Sequence, residues 1–279
     1  MAKITVLTVT NRAGGIEMQW SALRKQTFSD FEWILCDTLA DKRRDLLKEF
    51  SKNDPRIVHI QQNPRKEGSV TGLAQAENQA LNASSGELIV CLQDYIYIAP
   101  DCLERYFYHY QNTNGRALVT GVGDIYGKPG KEDIVDDQGL LTVFGEPFAG
   151  KPEIVTWKDP RRRTDQGTFY ECYPNDIEFN FCMVPYKVFE DLGGFDEEYD
   201  MIGHAWDNVN IAQRADMLGY KSYIDQTIEC KGLDHDHFWP NPVKIDQVKY
   251  PIGQFHNKRM ADIKAGRFHL KLDYLKRRD

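Results

Sequence analysis

Two acidic residues follow apolar runs that are typical of buried strands. Asp37 comes directly after FEWILC, and Asp94 comes shortly after LIVCL. In an open sheet of parallel strands, ligands bind outside the carboxyl ends of the strands, so carboxylates at these two positions can contact a ligand. The alternative interpretation is that each residue only forms the turn at the end of its strand.

A third acidic residue, Asp207, stands at the start of a helical pattern. The apolar residues that follow it lie on one face of a helix (Val209, Ile211, Ala212 and Ala215), and Gly219 ends the pattern. A carboxylate in the first turn is stabilised by the helix dipole. Helix stability alone can therefore explain Asp207, and other motifs must decide whether it has a chemical role.

The elements that would position these acids alternate between strand and helix. Apolar and β-branched runs predict strands at 4–10, 31–36, 56–61, 88–92, 117–121, 178–184 and 220–224, and helical spacing predicts helices at 16–26, 42–50, 72–83, 101–111 and 186–192. Because strands alternate with helices in the first half, we expect a parallel sheet with right-handed connections. Residues 123–167 are rich in glycine, proline and charge, which is typical of functional loops or a lid.

Charge is unevenly distributed along the chain. The 279 residues, of which 41% are hydrophobic, suffice for one large α/β domain with a formal net charge of −7. Up to residue 230 there are 24 Lys and Arg against 36 Asp and Glu, whereas from residue 231 onward there are 11 against 6. The acidic body argues against nucleic-acid binding, and the basic tail could contact phosphate, an anionic surface or the body itself.

The sequence also carries signals about location. Its six cysteines contain no CxxC pair and lie mostly in apolar surroundings, which is typical of reduced core residues in a cytosolic protein. The first residues, MAKITVLTVTNR, fit a first strand and lack a signal-peptide cleavage site. No run of about 18 apolar residues could span a bilayer. We therefore expect a cytoplasmic protein, with any membrane attachment being peripheral.

Four segments together carry a family resemblance. They are VLTVTNR with SALRKQTFSDFEWILCD, GLAQAENQALNASSGELIVCLQD with PDCLE, GGFDEEY, and WDNVNIAQRADMLGYK, in that order between residues 3 and 242. In this order they resemble the inverting glycosyltransferases of family 2, which have the GT-A fold. No GxGxxG fingerprint and no GxxxxGK[ST] phosphate loop competes with them.

The resemblance implies an α/β architecture: a GT-A, Rossmann-like, mostly parallel sheet flanked by helices, with a basic C-terminal extension. We expect residues 1–230 to form the nucleotide-sugar-binding and catalytic domain, divided into a nucleotide-binding half (1–122) and an acceptor half (123–230). Residues 231–279 would form a metal-site loop and a basic helical tail. Because its motifs lie outside the Rossmann-like pattern, we expect the tail after about residue 249 to be dispensable for folding.

The resemblance also implies a metal site. Breaking the bond between an anomeric carbon and a diphosphate needs positive charge at the leaving group, which a divalent metal usually supplies. The family's short acidic motif reads Gln93-Asp94-Tyr95 here, so Asp94 is the implied ligand and the second acid is missing. His235 or His237 could complete a site for Mn or Mg. The alternative is that these histidines form a surface cluster.

Nucleotide contacts follow from the same resemblance. Asp37 matches the position at which the family accepts a hydrogen bond from the nucleobase, and a carboxylate there suits the ring N–H of uracil or thymine. The alternative is that Asp37 only caps the end of its strand. The other implied nucleotide contacts are Thr8 and Asn11 beside the base, Arg65 and Lys66 toward phosphate, and Gln93 and Asp94 at the end of the fourth strand.

Asp207 matches an acidic pair beside the acceptor, which here reads Asp207-Asn208. An inverting transfer needs a carboxylate to take the acceptor's hydroxyl proton, and asparagine cannot do so. The implied base is therefore Asp207, unless the family's base aligns with Asn208. Trp206 is either a platform for a sugar ring or a core aromatic residue.

We therefore expect a glycosyltransferase that moves a sugar from a nucleotide donor, UDP-linked by this interpretation, to an acceptor hydroxyl with inversion. The acceptor would be a glycan, a lipid-linked molecule or a small molecule, and a homo-oligomer is compatible with the sequence. One alternative is a non-catalytic nucleotide- or sugar-binding homologue, which the changes at Tyr95 and Asn208 keep open. Another is a sugar nucleotidyltransferase, but the loop NRAGGIE is poor in the positive charge that a triphosphate needs.

Overall fold

The structure is a computed structural model that describes residues 2–12, 15–52, 54–127, 154–203, 206–233 and 249–270. Within these ranges the strands are β1 (Ile4–Thr10), β2 (Phe31–Asp37), β3 (Ile57–Gln61), β4 (Leu88–Leu92), β5 (Ile96–Ile98), β6 (Ala117–Gly127), β7 (Ile154–Trp157), β8 (Phe169–Glu171), β9 (Phe181–Pro185) and β10 (Lys221–Leu233). The helices are α1 (Ile16–Leu23), α2 (Ala40–Ser51), α3 (Leu73–Ala83), α4 (Cys102–Asn112), α5 (Tyr186–Leu192), α6 (Glu198–Ile202), α7 (Asp207–Met217) and α8 (Lys249–Lys264). No helix in these ranges is both long and apolar enough to cross a membrane.

The strands form one sheet in the order β3-β2-β1-β4-β9-β6-β10-β5, with β7 paired to β6 and β8 paired to β10. Parallel pairing joins β3 to β2, β2 to β1, β1 to β4, and β6 to β10. β9 runs antiparallel between β4 and β6. β1, β2, β3, β4, β6 and β10 therefore point the same way, whereas β5, β7 and β8 also pair antiparallel. The expected α/β fold is confirmed, and its sheet is mixed.

The two faces of the sheet belong to separate apolar clusters. On β4, Leu88, Val90 and Leu92 pack in the cluster that includes α1 and α4, whereas Ile89 and Cys91 pack in the cluster that includes α3, α5 and α7. Every residue of this strand is buried. Since successive side chains of a strand point to opposite faces, burial on both faces explains why the apolar run is uninterrupted.

The chain order defines where a ligand should bind. From β1 the chain moves outward to β2 and then to β3, and it later returns to place β4 on the other side of β1. The strand order therefore reverses between β1 and β4. In open α/β sheets the crevice outside the carboxyl ends at such a reversal is the usual ligand site.

β6 and β10 are longer than the apolar pattern predicts, and glycines explain the difference. A Cβ on Gly121 would lie 2.4 Å from the carbonyl oxygen of Ile228, and one on Gly123 would lie 2.2 Å from Cys230 Sγ. Close approach of the two strands therefore requires glycine, which interrupts the apolar run. The expected boundaries at 122/123 and 230/231 consequently fall inside strands, so one continuous sheet crosses both.

α8 is a helix, as expected for the tail, but it packs on the body. Ile252 and Met260 are buried, and His256 lies between Tyr199 on α6 and Gln213 on α7. These contacts argue against our expectation that the segment is dispensable for folding, and basic composition alone did not reveal them.

Candidate active site

Three polar residues lie side by side at the carboxyl edge of β2, β1 and β4. Thr10, at the end of β1, pairs with Asp37 at the end of β2. The Thr10 hydroxyl also donates a hydrogen bond to Asp94 Oδ2 at 2.5 Å. This row of polar groups spans the point where the strand order reverses, where a ligand is expected.

Asp94 is fully buried and forms an ion pair with Arg12. The guanidinium NH1 of Arg12 donates to Asp94 Oδ1 at 2.7 Å. Since Thr10 occupies the other oxygen, both carboxylate oxygens already have a partner. A buried carboxylate that carries a charge is stable only when it is paired in this way.

The start of α1 holds the chain after β4 in place. Gly15 adopts a left-handed backbone conformation with φ of 95°, and a Cβ at this position would lie 2.2 Å from the carbonyl oxygen of Asp94. The buried amide of Gln19 donates to the carbonyl oxygens of Leu92 and Gln93 at 3.3 and 3.0 Å. The Asp94 backbone is therefore fixed by α1 as well as by the sheet.

The described residues do not fit a divalent metal site at Asp94. The neighbouring guanidinium of Arg12 would repel a second cation at short range. The position of the missing acid is taken by Tyr95, a buried phenol, and burial raises the pKa of Tyr95 so that it stays neutral. Within the parts of the chain that the structure describes, no group of three His, Cys, Asp or Glu side chains could hold a metal. The predicted ligands His235 and His237 lie outside the described residues.

Asp37 is also buried and hydrogen-bonded. It accepts from the Leu39 backbone at 2.7 Å and from Arg43 at 2.8 Å, and its Oδ2 lies 3.2 Å from His59 Nε2. A carboxylate has about four acceptor positions, so the protein leaves roughly one for a nucleobase N–H. Asp37 ends β2, and its contact with a nucleobase stays a prediction that requires the buried site to open.

The other implied nucleotide contacts have different surroundings. Thr8 lies in the core, where its hydroxyl donates to Gln19 and accepts from Trp33, both at 3.0 Å, so it is not available beside a base. Thr8 also lies two residues before Thr10, which is the last residue of β1. Asn11 is half-buried in the loop after β1, and Gln93 is half-buried after β4.

Arg65 and Lys66 lie on the exposed loop after β3. Arg65 donates to the carbonyl oxygen of Val70 at 3.3 Å, and Lys66 Nζ lies 2.6 Å from Glu197 Oε2. Either side chain could turn toward a ligand, because both are exposed.

Asp207 begins α7, as expected, and its carboxyl group contacts that of Glu77 on α3. Both residues are buried, with 2% and 8% of their surfaces exposed. Burial and the adjacent charge of Asp207 raise the pKa of Glu77 well above its usual value. A protonated Glu77 can therefore donate to an ionised Asp207.

Sequence reasoning missed Glu77. The local signal is weak: Glu77 lies among small residues on the buried face of α3, including Ala74, Ala76 and Ala80. An acidic residue on such a face needs a buried partner. Its partner comes from a distant segment, so the helix sequence alone could not show it.

The other acids before Asp207 have structural partners. Asp200 accepts from the backbone N–H groups of Ala74 and Gln75 at 3.2 and 3.0 Å, so it caps α3, which lacks a capping side chain of its own. Glu197 binds Lys66 and accepts from Asn78. Their contacts explain both residues without a role in chemistry.

Trp206 precedes α7 and is half-buried against His256 of α8, with 4.6 Å between ring centroids. This contact favours the interpretation of Trp206 as a packed aromatic residue. Part of its surface remains accessible, so the predicted contact with a sugar stays a prediction.

A pocket of about 160 Å³ lies beside β5, β6 and β10, and sequence reasoning did not identify it. Its polar and aromatic lining includes Trp157, Arg161, Glu178 and Asn180. Arg161 is held by a bidentate contact to Asp159, with distances of 2.9 and 2.6 Å. Because Trp157 is 41% exposed, the pocket offers an aromatic face together with charged groups, a combination suited to carbohydrates.

Residues 5–179 match the family model described as "Glycosyl transferase family 2". The match covers more than half of the chain, so the chain belongs to glycosyltransferase family 2. Together with the fold, this membership defines the protein as a glycosyltransferase. No curated protein sequence matches the chain.

Solved glycosyltransferase structures share the fold. The chain is similar to S. aureus TarS, with a TM-score of 0.54 and 14% identity over 84% of this chain and 37% of that one. It is also similar to GalNAc-T7 crystallised with UDP, GalNAc and Mn2+, with a TM-score of 0.61 and 14% identity over 84% of this chain and 44% of that one. These GT-A neighbours confirm the fold class. The chain spans less than two thirds of the length of either.

Proposed function

We propose that this glycosyltransferase moves a sugar from a UDP-linked donor to an acceptor hydroxyl with inversion. The observation that carries the proposal is the polar row formed by Asp37, Thr10 and Asp94 across three adjacent strands. It lies at the edge where a nucleotide is expected, with a carboxylate for the base at one end and the Arg12–Asp94 pair at the other.

A uracil base suits Asp37. The ring N–H of uracil is a donor, and the carboxylate keeps about one acceptor position beyond its protein contacts. A fragment of the similar protein TarS has been crystallised with UDP, at 14% identity and a TM-score of 0.54. UDP is therefore the donor nucleotide to test first.

In the proposed reaction the acceptor oxygen attacks the anomeric carbon from the side opposite the leaving group. The new carbon–oxygen bond forms as the bond to the diphosphate oxygen breaks, and the electron pair of that bond leaves with UDP. Asp207 takes the proton from the acceptor hydroxyl, while Glu77 donates a hydrogen bond to the same carboxylate. Because Asp207 is 2% exposed, acceptor binding has to open this site.

The proposed reaction contains no step through a metal. Mn or Mg remains the prediction that the family resemblance makes, but the described residues around Asp94 do not fit such an ion, and His235 and His237 lie outside them. Metal dependence is consequently one of the quantities to measure.

The test is a screen of nucleotide-sugars for release of the nucleoside diphosphate, with and without Mn and with candidate acceptors of the glycan, lipid-linked and small-molecule classes. We expect release from a UDP-sugar and a product whose anomeric configuration, determined by NMR, is inverted. Binding of UDP-sugars without any turnover would instead favour the non-catalytic homologue, for which the changes at Tyr95 and Asn208 argue. Consumption of a nucleoside triphosphate would identify a nucleotidyltransferase.

A further inference from the structure

Arg12 has hydrogen-bonding capacity that the protein does not use. Its NH1 bonds Asp94, but its Nε is buried and has no hydrogen-bond partner among the described residues. The guanidinium also lies over the ring of Tyr95, 5.4 Å from the centroid. A buried donor without a partner costs free energy, so it is often explained by a ligand that the protein binds.

Arg12 is the more accessible member of the ion pair. The Arg12 side chain is 13% exposed, whereas that of Asp94 is 0% exposed. The Arg12 backbone is fixed as well, because its N–H donates to Thr10 Oγ1 at 3.2 Å. Asp94 and Thr10 thus hold a guanidinium at the carboxyl edge, where the strand order reverses.

A guanidinium in this position suits a diphosphate. Its planar fork of N–H donors matches phosphate oxygens, and it remains charged at any physiological pH. Charge developing on a leaving group is stabilised best by donors that are already oriented before the reaction. The carboxylate that would otherwise bind a metal is here used to orient an arginine.

We infer that Arg12 takes the place of a divalent metal at the leaving diphosphate and that Asp94 is its anchor rather than a metal ligand. This inference rests on the proposed function. As the bond between the anomeric carbon and the diphosphate oxygen breaks, the electron pair stays on that oxygen and Arg12 donates hydrogen bonds to the diphosphate. No proton leaves Arg12, since the acceptor proton goes to Asp207.

The first experiment uses the unaltered protein. We expect calorimetry to give the same affinity for UDP, within about twofold, in EDTA and in Mn, because the cation is part of the chain. An affinity that rises more than about tenfold with Mn would overturn the inference. Inorganic pyrophosphate serves as a second probe, and a chain that fails to bind it in EDTA would also overturn the assignment of Arg12.

The second experiment compares Arg12→Gln with Arg24→Gln, an exposed arginine at the end of α1. Loss of a charge-assisted contact should weaken UDP and pyrophosphate about 10- to 100-fold in Arg12→Gln. Uridine affinity should stay unchanged, and Arg24→Gln should bind all three probes normally. Unchanged pyrophosphate affinity in a folded Arg12→Gln protein would disprove the role of Arg12.

One further variant keeps the test decisive. Arg12→Gln leaves Asp94 buried without its partner, so the double variant Arg12→Gln/Asp94→Asn provides a neutral pair if the single variant unfolds. It should fold and still bind pyrophosphate poorly, and normal binding would contradict the inference. A wild-type protein that binds pyrophosphate through Arg12 but does not bind UDP would contradict UDP as the donor nucleotide. The assignment of Arg12 to a diphosphate site would still hold.

Discussion

Glu77 on α3 and Asp207 at the start of α7 are two buried carboxyl groups, and the charge of Asp207 acts on Glu77. Two carboxylates in contact inside a protein cannot both ionise cheaply, so such a pair holds one proton between them. The raised pKa of Glu77 favours a proton on Glu77. With the proton there, Asp207 is the ionised member, which is the state that a general base requires.

Replacing Asp207 with asparagine should abolish transfer without unfolding the protein. The new side-chain carbonyl would still accept a hydrogen bond from protonated Glu77, and asparagine is tolerated at helix starts. Loss of a general base typically costs about 10²- to 10⁴-fold in rate. We expect Asp207→Asn to lose at least about 100-fold in transfer rate while keeping its UDP affinity and its melting temperature.

The matched control is Asp216→Asn, an exposed acid on the same helix, which should transfer normally. Near-normal transfer by Asp207→Asn would remove Asp207 from the reaction. The search would then move to Glu178 at the 160 Å³ pocket.

Relative to the wild type, the Glu77→Gln protein should become more stable as the pH rises. The pKa of Glu77 is raised in the folded state, whereas its usual value is 4.5. The stability contribution of Glu77 is therefore complete below about pH 4.5 and is lost as the pH rises toward the folded-state pKa, by at most about 1.4 kcal/mol per pH unit. Glutamine does not titrate and can still donate to Asp207.

The measurement is chemical denaturation of both proteins between about pH 4.5 and about pH 8, the range above the usual pKa of glutamate. We expect the free energy of unfolding of Glu77→Gln minus that of the wild type to grow with pH. Glu49→Gln, at an exposed position on α2, should show no such trend. A difference that stays constant over this range would mean that Glu77 ionises normally.

Replacing Arg259 with alanine should destabilise the body of the protein, although the residue belongs to the basic C-terminal helix. Arg259 Nε lies 3.0 Å from Asp196 Oδ2, and the two side chains are 8% and 2% exposed. Removing one member of a buried ion pair leaves the other charge uncompensated, which typically costs about 3–5 kcal/mol. Lys258→Ala, at an exposed neighbouring position, should change the free energy of unfolding by about 0.5 kcal/mol or less.

Urea denaturation of the wild type and of both variants measures these changes in the free energy of unfolding. An Arg259→Ala protein as stable as the Lys258→Ala protein would show that α8 contributes little to the body. Deletion of residues 249–279 should lower stability more than Arg259→Ala alone, because it also removes the buried side chains of Ile252 and Met260.

Replacing Gly15 with alanine should distort the site. The left-handed conformation costs a residue with a Cβ about 1–2 kcal/mol, and the new atom would collide with the Asp94 carbonyl oxygen. We expect a loss of at least about 2 kcal/mol in stability together with weaker pyrophosphate binding. Gly253→Ala, in α8, should instead stabilise by about 0.5–1 kcal/mol, since a Cβ there meets nothing within 4 Å. Equal melting temperatures for the two variants would contradict the close approach at Gly15.

Much of the first half of the fold could be predicted from the sequence. The runs at 4–10, 31–36 and 88–92 became β1, β2 and β4 with shifts of at most one residue, and Asp37 and Asp94 lie where those strands end. The three shortest strands were harder to predict. β5, β7 and β8 contain three or four residues each, too few for a periodic pattern to distinguish them from loops.

The sequence by itself determined the family, the alternation of strands and helices, and the placement of Asp207 at a helix start, because these depend on local order along the chain. Only the tertiary structure decided what the acids contact. Arg12 and Asp94 are 82 positions apart, and Glu77 meets Asp207 from another helix. The periodicity of a sequence reports how residues close together along the chain are arranged. Arg12 meets Asp94 because the sheet brings the ends of β1 and β4 together, and Glu77 meets Asp207 because α3 packs against the segment before α7.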